Sequence, residues 1–406
     1  QLNAAVDSAL ASNFNVRVAW ERLRAARAVT DRESAGLLPD LQASAGGETS
    51  TSERDFQGSE DLQLGLSSVY EVDLWGNIRS RIDAERFRAQ ATLADYQTAA
   101  ISLSAEVVTT WYELAEAHNQ LDLVQEQIET NQNVLDLLEN RFGAGQVRGV
   151  DILRQRQLVE SAREQREYVR ARMQVLEHEL SVLMRRPPQD SLRPAPEQLP
   201  EPPPLPETGV PMDLVQRRPD VQSAFDRLRA ADRELAAAIS DQYPQLTLTA
   251  SATAAGSSAS SLFQDWALSF AGDLLAPIFQ GGALRAEVDR TAAVKQERLY
   301  AYGHTVLTAF REVEDALIQE QTQRQAIQDI EEQLELAEQS YDQLLVQYFN
   351  GATDYLDVLT ALDEVQQLRR DLLSAELTLL EFRVALYRAL AGPFHTDRQD
   401  ERESRE

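Results

Sequence analysis

The feature that most constrains this chain is an internal repeat at an offset of about 205 residues. Glu21–Ala26 recurs as Asp226–Ala231, with the run Arg-Leu-Arg-Ala-Ala unchanged. Farther along, Arg141–Gly145 corresponds to Gln347–Gly351, and each run ends in glycine. Because the correspondence continues over the whole length, the sequence predicts two copies of one structural unit.

A proline-rich segment separates the two copies. Nine of the 15 prolines lie between Pro187 and Pro206, and proline joins neither helix interiors nor inner strands. We therefore predict an extended linker that runs outside the helical body. The predicted order is a first repeat over residues 1–186, the linker over 187–206, a second repeat over 207–393 and a charged tail over 394–406.

The periodicity of apolar residues predicts the elements of each copy. A helical period predicts one helix before the strands and two long helices after them. In chain order these include Leu2–Ala35, Gly76–Phe142, Val150–Met184, Leu284–Phe349 and Leu356–Leu390. Alternation at period two predicts four strands, each with one apolar and one polar face. The predicted strands cover about residues 40–54, 60–73, 244–258 and 264–277.

These elements define a mainly α fold class with a small β part, in which a helix–strand–strand–long helix–long helix unit is duplicated. At 1.5 Å per residue, the helix from Gly76 to Phe142 would be roughly 100 Å long. Helices of this length must pack side by side in coiled-coil fashion.

The number of strands predicts association. Unpaired amides in hydrocarbon cost several kcal/mol each, so a sheet that faces lipid cannot leave its edges open. Four strands are too few to close, since small outer-membrane barrels use about eight. We therefore predict that the chain shares a barrel with copies of itself.

Composition excludes several classes of function. The net charge of −27, from 66 acidic and 39 basic residues, disfavours nucleic acid as a partner. The acidic surplus indicates either a solvated surface or an acidic channel lumen that favours cations. Cysteine is absent, and no run of about 18 apolar residues predicts a membrane helix. The four histidines lack metal-ligand spacing and no phosphate loop or nucleophile motif occurs, so we predict neither an enzyme nor a metal or cofactor site.

Four separated motifs resemble those of outer-membrane efflux factors of the TolC/OprM type. They are Val69–Arg79, Gln216–Val221, Ala276–Gly282 and Ala309–Leu317. The resemblance extends over essentially the whole chain to Pro393. Members of the OprM kind begin with a signal peptide and a lipidated cysteine. Because this sequence starts without them, we expect a truncated or processed chain whose full-length form is lipid-anchored.

The resemblance implies a homotrimer in the outer membrane of a Gram-negative bacterium. Three chains would form a 12-strand β-barrel, surrounded by outer-membrane lipid, on a 12-helix α-barrel that crosses the periplasm. Its partners would be a periplasmic adaptor protein and an inner-membrane pump of the RND type. The function implied is an exit channel that passes drugs or metal ions outward.

The resemblance also assigns a pore gate to the two turns between the long helices. It places Asp151 in a hydrogen bond with Tyr348, Asp357 in a three-fold charged ring, and Leu356 in an apolar constriction. Thr353 and Thr360 stand where relatives carry charged residues, which leaves Asp357 as the charge of the ring. The gate residues are thus Asp151, Tyr348, Thr353, Leu356, Asp357 and Thr360.

The same turns carry the predicted adaptor contacts, and aromatic residues near the strands form a predicted girdle at the lipid interface. The adaptor-contacting residues are Arg141, Phe142, Gly145, Tyr348 and Gly351. The girdle residues are Tyr70, Trp75, Phe263, Trp266 and Phe270. For the adaptor-contacting residues, the structural alternative is ordinary helix capping by glycine. For the girdle residues, it is packing within the barrel.

Two other functions fit parts of the sequence. A TolC-like exit duct for type I protein secretion would share the fold, and a soluble coiled-coil scaffold would explain the helices and the acidity. The scaffold does not explain alternating strands at matching positions of both repeats. The residues of the four motifs resemble those of OprM-like members, which favours small-molecule efflux over protein secretion.

Overall fold

The computed structural model describes residues 1–51, 58–188, 199–205, 217–258 and 260–392. Most of the predicted linker and the predicted tail therefore lie outside the described residues. The first half of the chain contains α1 (Leu2–Ser12), α2 (Phe14–Ser34), a 3₁₀ turn (Ala35–Leu37), β1 (Asp40–Thr51), β2 (Gly58–Val72), α3 (Asn77–Gly143) and α4 (Gly149–Leu183). The second half contains α5 (Pro219–Ser240), β3 (Gln245–Gly256), β4 (Trp266–Leu275), α6 (Ala283–Phe349) and α7 (Tyr355–Leu390).

The described elements are mainly helical with one small antiparallel sheet, which confirms the coarse fold class. The strand order is β1-β2-β3-β4, so the two hairpins of the sheet meet where β2 pairs with β3. The helices α3 and α6 each contain 67 residues. Each begins shortly after its strand pair and ends at a glycine-containing turn.

The predicted single helix Leu2–Ala35 is wrong, because α1 and α2 are separated at Asn13. The Oδ1 atom of Asn13 accepts a hydrogen bond from the N–H of Asn15 at 2.8 Å. Its Nδ2 atom donates to the carbonyl of Leu183 at 3.0 Å. This buried side chain therefore satisfies free backbone groups at the start of α2 and at the end of α4.

The chain divides into two compact units, and each draws on both repeats. The first consists of the described residues of Gln1–Val18, Gln97–Arg218 and Leu307–Glu406. Its core contains separate apolar clusters, one of them formed by Val313, Ala316, Leu386 and Ala389. These clusters lie between the helices, as expected for long amphipathic helices that pack side by side.

The second unit consists of Ala19–Tyr96 and Pro219–Val306 and contains the sheet. Its buried residues include Leu23, Ile82 and several alanines of α3 and α5. Trp20 packs against Tyr96 with ring centroids 5.3 Å apart. The alanines allow close approach of helix backbones, while the aromatic pair adds a large apolar contact.

Candidate functional site

The turn between α3 and α4 ends in a glycine with a left-handed backbone. Gly145 has a φ of 75°. Its N–H donates to the carbonyl of Phe142 at 2.9 Å, and the N–H of Gln146 donates to the carbonyl of Arg141 at 3.1 Å. This pair of hydrogen bonds is the Schellman motif, which satisfies the last carbonyls of a helix and favours glycine at its left-handed position.

The turn between α6 and α7 repeats this geometry. Gly351 has a φ of 74°. Its N–H donates to the carbonyl of Tyr348 at 3.0 Å, and the N–H of Ala352 donates to that of Gln347 at 2.9 Å. The sequence repeat is therefore reproduced at the level of individual hydrogen bonds, and the following helix begins four residues after each glycine.

The two turns lie beside each other, and side chains join them. The guanidinium of Arg141 lies 4.2 Å from the ring centroid of Phe349, a cation–π contact between α3 and α6. Phe142 is half exposed at the first turn. All residues of the predicted adaptor-contacting set are thus brought to one end of the first unit.

An apolar cluster underlies the turns. Leu138, Tyr355 and Val358 are buried at its centre, and Tyr348 packs against them. The rings of Tyr348 and Tyr355 are 5.3 Å apart. Burial raises the pKa of Tyr348, and the nearby charge of Asp151 raises it further. Tyr355 was not predicted as a site residue, although its position beside Leu356 placed it at the turn.

Asp151 is 2% exposed, and Arg148 holds it. Nε and Nη2 of Arg148 donate to the two carboxylate oxygens at 3.1 and 3.3 Å. Nη2 of Arg148 also lies 3.0 Å from Oδ1 of Asp354 in the second turn. Arg148 therefore bridges the two turns, a role that the sequence interpretation missed even though an Arg-x-x-Asp spacing was visible.

The predicted hydrogen bond from Tyr348 to Asp151 is not formed within the described part of the chain. Both oxygens of Asp151 accept from Arg148 instead, while the ring of Tyr348 packs between Phe349 and Tyr355. Within one chain, the predicted hydrogen bond between Tyr348 and Asp151 is therefore wrong, and the partner of Asp151 is Arg148.

Leu356 and Asp357 differ from Asp151 in their exposure. Leu356 is 45% exposed and Asp357 is also exposed, so neither joins the apolar cluster. Thr353 Oγ1 donates to a carboxylate oxygen of Asp357. Thr360 Oγ1 donates to the carbonyl of Leu356 at 2.9 Å. The two threonines are therefore hydrogen-bonded locally, and Asp357 presents an exposed carboxylate.

A line of buried polar side chains, four amides and one tyrosine, extends from the turns into the helices. We call these residues the polar seam: Gln127, Asn131, Gln155, Tyr355 and Gln366. Tyr355 Oη donates to Gln155 at 2.7 Å, and Gln155 Nε2 donates to the Asn131 carbonyl at 2.7 Å. The side chains of Asn131 and Gln366 exchange two hydrogen bonds of 3.2 and 2.9 Å. Gln127 Nε2 donates to the Gln366 carbonyl at 3.0 Å. The seam thereby connects α3, α4 and α7.

In the second unit, the register of the sheet separates an apolar face from a polar one. Opposite residues of an antiparallel pair point to the same face. One face carries Leu41, Ala43, Ala45, Gly47, Leu62, Leu64, Leu66, Ser68, Tyr70, Val72, Leu246, Leu248, Ala250, Ala252, Ala254, Trp266, Leu268, Phe270, Gly272 and Leu274. The other face is mainly polar and carries Gln42, Ser44, Gln63, Ser67, Glu71, Thr247, Thr249, Ser251, Thr253, Ser269 and Asp273, together with the apolar residues Val69, Ala255, Ala267, Ala271 and Leu275.

The predicted girdle residues occupy different levels of this sheet. Trp266 pairs with Ala254 at one end of β4, and Phe263 lies in the preceding turn. Trp75 follows β2 at the opposite end, where its Nε1 donates to the Pro244 carbonyl at 2.7 Å.

The remaining two girdle residues lie between these levels. Phe270, which is 84% exposed, pairs with Ala250. Tyr70 pairs with Leu248 and is half-buried. The aromatic residues are therefore spread over both ends and the middle of the apolar face.

The edges of the sheet are open within the chain. Among the described strands, β1 pairs only with β2, and β4 pairs only with β3. Every residue of β4 is exposed. A long, apolar and exposed edge strand is a surface that other strands or chains cover.

Among the described residues, no helix contains an apolar stretch of the length that a membrane crossing requires. No group of three or more His, Cys, Asp or Glu side chains among them could hold a metal ion.

Long paired helices joined by glycine turns, with a small sheet that has one apolar face, define a helical channel protein of the TolC-like class. The family model of the outer membrane efflux protein matches residues 5–184 and 210–392. The chain therefore belongs to the outer membrane efflux protein family, and the resemblance predicted from its four motifs is confirmed.

The relatives extend this likeness to nearly full length. The pyoverdine export outer membrane protein OpmQ of Pseudomonas aeruginosa is 29% identical over 98% of this chain and 86% of its own length. The solvent efflux pump outer membrane protein SrpC of Pseudomonas putida is 30% identical over 95% of this chain and 84% of its own length. A solved structure of CusC superposes with a TM-score of 0.91 at 25% identity, over 97% of this chain and 92% of that one.

Proposed function

We propose that this protein is the outer-membrane exit channel of a tripartite efflux system and not an enzyme. Three copies would close a 12-strand barrel in the outer membrane, and their long helices would form a 12-helix tunnel. A periplasmic adaptor and an inner-membrane pump of the RND type would deliver the cargo. The proposal includes the division into two repeats joined by the proline-rich linker.

The observation that carries this proposal is the four-stranded sheet with one apolar face and two open edges. In hydrocarbon each unpaired edge amide costs several kcal/mol, so β4 of one chain needs the β1 of another. Outer-membrane barrels place apolar residues outward and polar residues inward. With this orientation, Trp75, Phe263 and Trp266 would lie near the two lipid interfaces.

Small molecules are the cargo class that the relatives support. OpmQ is named for pyoverdine export and SrpC for solvent efflux. Neither name refers to protein secretion, which was the main alternative. Three copies of the polar face, with Glu71 and Asp273 on it, would line the barrel and favour polar or cationic solutes.

The gate would lie at the paired turns. Leu356 and Asp357 would form successive apolar and acidic rings when three copies surround an axis. Arg148 would hold the second turn to the first through Asp151 and Asp354, and Tyr348 would pack behind it. An adaptor that engages Arg141 and Phe142 would release this contact, since an exposed ion pair is readily replaced.

Assembly and conduction test the proposal together. The purified protein in detergent should have the protein mass of three chains by light scattering, and it should form cation-preferring channels in planar bilayers. Replacement of Phe270 and Leu268 on the apolar face by Lys should prevent insertion, whereas Ser251→Lys on the polar face should leave insertion intact and alter conductance. A stable monomer without channel activity would overturn the proposal.

A further inference from the structure

Two aromatic contacts show that the sequence repeat is also a repeat of packing in the second unit. The rings of Trp20 and Tyr96 have centroids 5.3 Å apart. About 205 residues later in the chain, the rings of Phe225 and Tyr302 have centroids 5.5 Å apart. Positions that correspond in the two repeats therefore make corresponding contacts, so a contact made by one repeat predicts its counterpart in the other.

The two repeats meet where β2 pairs with β3, and we call the contact at the helical end of this pair the junction. Trp75 follows β2, and Tyr243 and Pro244 precede β3. Nε1 of Trp75 donates to the carbonyl of Pro244 at 2.7 Å. The ring centroids of Trp75 and Tyr243 are 5.1 Å apart. The aromatic residue after one strand pair thus packs against the residues that precede the next strand pair.

The counterpart of the junction is incomplete within the chain. By the repeat, Phe279 after β4 corresponds to Trp75. Likewise, Leu38–Pro39 before β1 corresponds to Tyr243–Pro244. The strands β1 and β4 are the outer strands of the sheet, three strand spacings or about 14 Å apart. Phe279 therefore cannot reach Leu38–Pro39 of its own chain, and only another copy can supply them.

The residues of the incomplete junction are more exposed than those of the complete one. Ile278 is 97% exposed and Phe279 is 87% exposed, whereas Trp75 is 52% exposed. Leu38 is 69% exposed, against 47% for Tyr243. Adjoining apolar side chains with this exposure mark a surface that a partner covers.

The faces of the sheet agree with a junction between copies. In the β2–β3 pair, Tyr70 lies opposite Leu248 on the apolar face. The same correspondence places Leu274 of β4 opposite Ala43 of β1 in another copy, and both belong to the apolar face. A displacement by one residue would instead set Leu274 beside the polar face of the neighbouring β1, because side chains alternate along a strand.

We propose that Ile278 and Phe279 of each chain pack against Leu38 and Pro39 of a second copy. This contact completes a junction equivalent to the one that Trp75 makes within the chain. It is wholly apolar, because phenylalanine lacks the indole N–H that Trp75 donates. The inference rests on the proposed ring of three chains and adds the contact that joins each chain to the next where the sheet meets the helices.

Cross-linking tests this contact, because the chain contains no cysteine and introduced thiols are therefore the only ones present. Leu38→Cys with Phe279→Cys, treated in detergent with a short bis-maleimide, should give a linked three-chain species on a denaturing gel. Ser261→Cys with Phe279→Cys places the thiols at opposite ends of β4 and should give at least tenfold less of this species.

The complete junction supplies a matched positive control. Trp75→Cys with Tyr243→Cys should be linked within one chain, so the gel should show a single-chain species and mass spectrometry should find the linked peptides. This control checks that the reagent spans a junction of this geometry.

Separate chains establish that the contact lies between copies. Coexpressed chains that carry Leu38→Cys and Phe279→Cys singly should give a linked two-chain species, and either variant alone should remain a single chain. Light scattering of the untreated samples measures assembly independently. Three chains by light scattering without these links, while the Trp75 and Tyr243 control is linked, would overturn the contact and leave the proposed function intact. The mass of a single chain would overturn both.

Discussion

Two arginine–carboxylate pairs in the first unit have similar chemistry and very different surroundings. Arg383 donates through Nε and Nη2 to both oxygens of Glu320, at 2.9 and 2.5 Å, and both side chains are 2% exposed. Arg148 also donates through Nε and Nη2 to Asp151, but its own side chain is 55% exposed. The first pair is sealed from water, whereas the second opens to it.

The partners of the two arginines also differ. Nη1 of Arg383 donates to the carbonyls of Pro203 and Pro204. This arginine therefore holds the described part of the linker through backbone carbonyl oxygens, which proline has although it lacks an N–H. Arg148 instead contacts Asp354, an exposed residue of the neighbouring turn. The comparison teaches that a pair with both side chains buried fixes the chain, whereas an exposed arginine such as Arg148 can exchange its contacts for those of a partner.

The largest expected effect comes from breaking the buried pair. Glu320→Ala should lower the free energy of unfolding by about 3–5 kcal/mol, because it leaves a buried guanidinium without its carboxylate. Thermal melting of the helical circular dichroism signal measures this loss. Glu335→Ala, on an exposed position of the same helix, should change stability by less than about 0.5 kcal/mol. Equal losses of stability in the two variants would show that the pair of Arg383 and Glu320 does not stabilise the fold.

A double replacement separates stability from linker attachment. Glu320→Leu with Arg383→Met should restore most of the lost stability, because apolar residues often replace a buried pair at little cost. It should still expose residues 199–205 to protease, since the donors to the proline carbonyls are gone. A linker that stays resistant to cleavage would show that other contacts hold it.

The pair of Arg148 and Asp151, of which only the arginine is exposed, should affect conduction more than stability. Asp151→Ala removes two charge-assisted hydrogen bonds at a helix start and should cost about 1–2 kcal/mol. It should also raise single-channel conductance in planar bilayers, and so should Tyr348→Phe if Tyr348 reaches Asp151 of a neighbouring chain. Asp363→Ala, on an exposed position of α7, is the control. Unchanged conductance in both variants would place the gate elsewhere.

Asp357 provides the contrast within the turns. Asp357→Ala should change stability by less than about 0.5 kcal/mol, because the side chain is exposed. It should weaken block by divalent cations and reduce the preference for cations, since it removes the proposed charged ring. Block and selectivity identical to those of the unmodified channel would exclude Asp357 from the pore.

Salt should distinguish the two arginine pairs with a smaller effect. The Debye length falls from about 10 Å at 0.1 M to about 3 Å at 1 M. Salt should therefore increase the open fraction of the unmodified channel by weakening the Arg148 contacts, while linker cleavage stays unchanged. In Asp151→Ala the open fraction should depend less on salt. A linker that becomes cleavable in 1 M salt would contradict this view of the buried pair.

The smallest expected effect concerns Glu381 on α7. Desolvation raises its pKa above the ordinary 4.5, with Arg172 opposing and Glu116 adding to the rise. The folded state therefore holds a proton more tightly than the unfolded state, and the stability cost is present when pH exceeds the raised pKa. Glu381→Gln should melt slightly higher than the unmodified chain at pH 8, and the difference should shrink as pH falls and vanish well below pH 4.5, where the carboxyl is protonated in both states. A difference that is independent of pH would show a packing effect.

Local patterns predicted most of the fold, because its main elements are long and strongly periodic. The helix from Gly76 to Phe142 was predicted within one residue at each end, since glycines mark both limits. The break at Asn13 was missed because its partner Leu183 lies 170 residues away. Helical periodicity continues through such a position, so only the tertiary contact decides it.

The candidate site was predicted less completely. Repeat symmetry located Asp151 and Asp357, but it could not show that one is buried and the other exposed, because the two are equivalent in sequence. Tyr355 and Gln155 are 200 residues apart in the chain. A hydrogen bond of this kind leaves no local pattern, so the buried contacts of the turns emerge only from the fold.

The polar seam has a consequence for the mechanics of α7. The hydrogen bonds between amides of neighbouring helices fix the axial position of α7. A shift of α7 by one helical turn, about 5.4 Å along its axis, would break the hydrogen bonds of Gln366 with both Asn131 and Gln127. Each buried amide left without a partner costs about 1–3 kcal/mol. We therefore expect α7 to bend near the turn without sliding along its axis. The distance between spin labels at positions 129 and 363 should then be the same in closed and open channels.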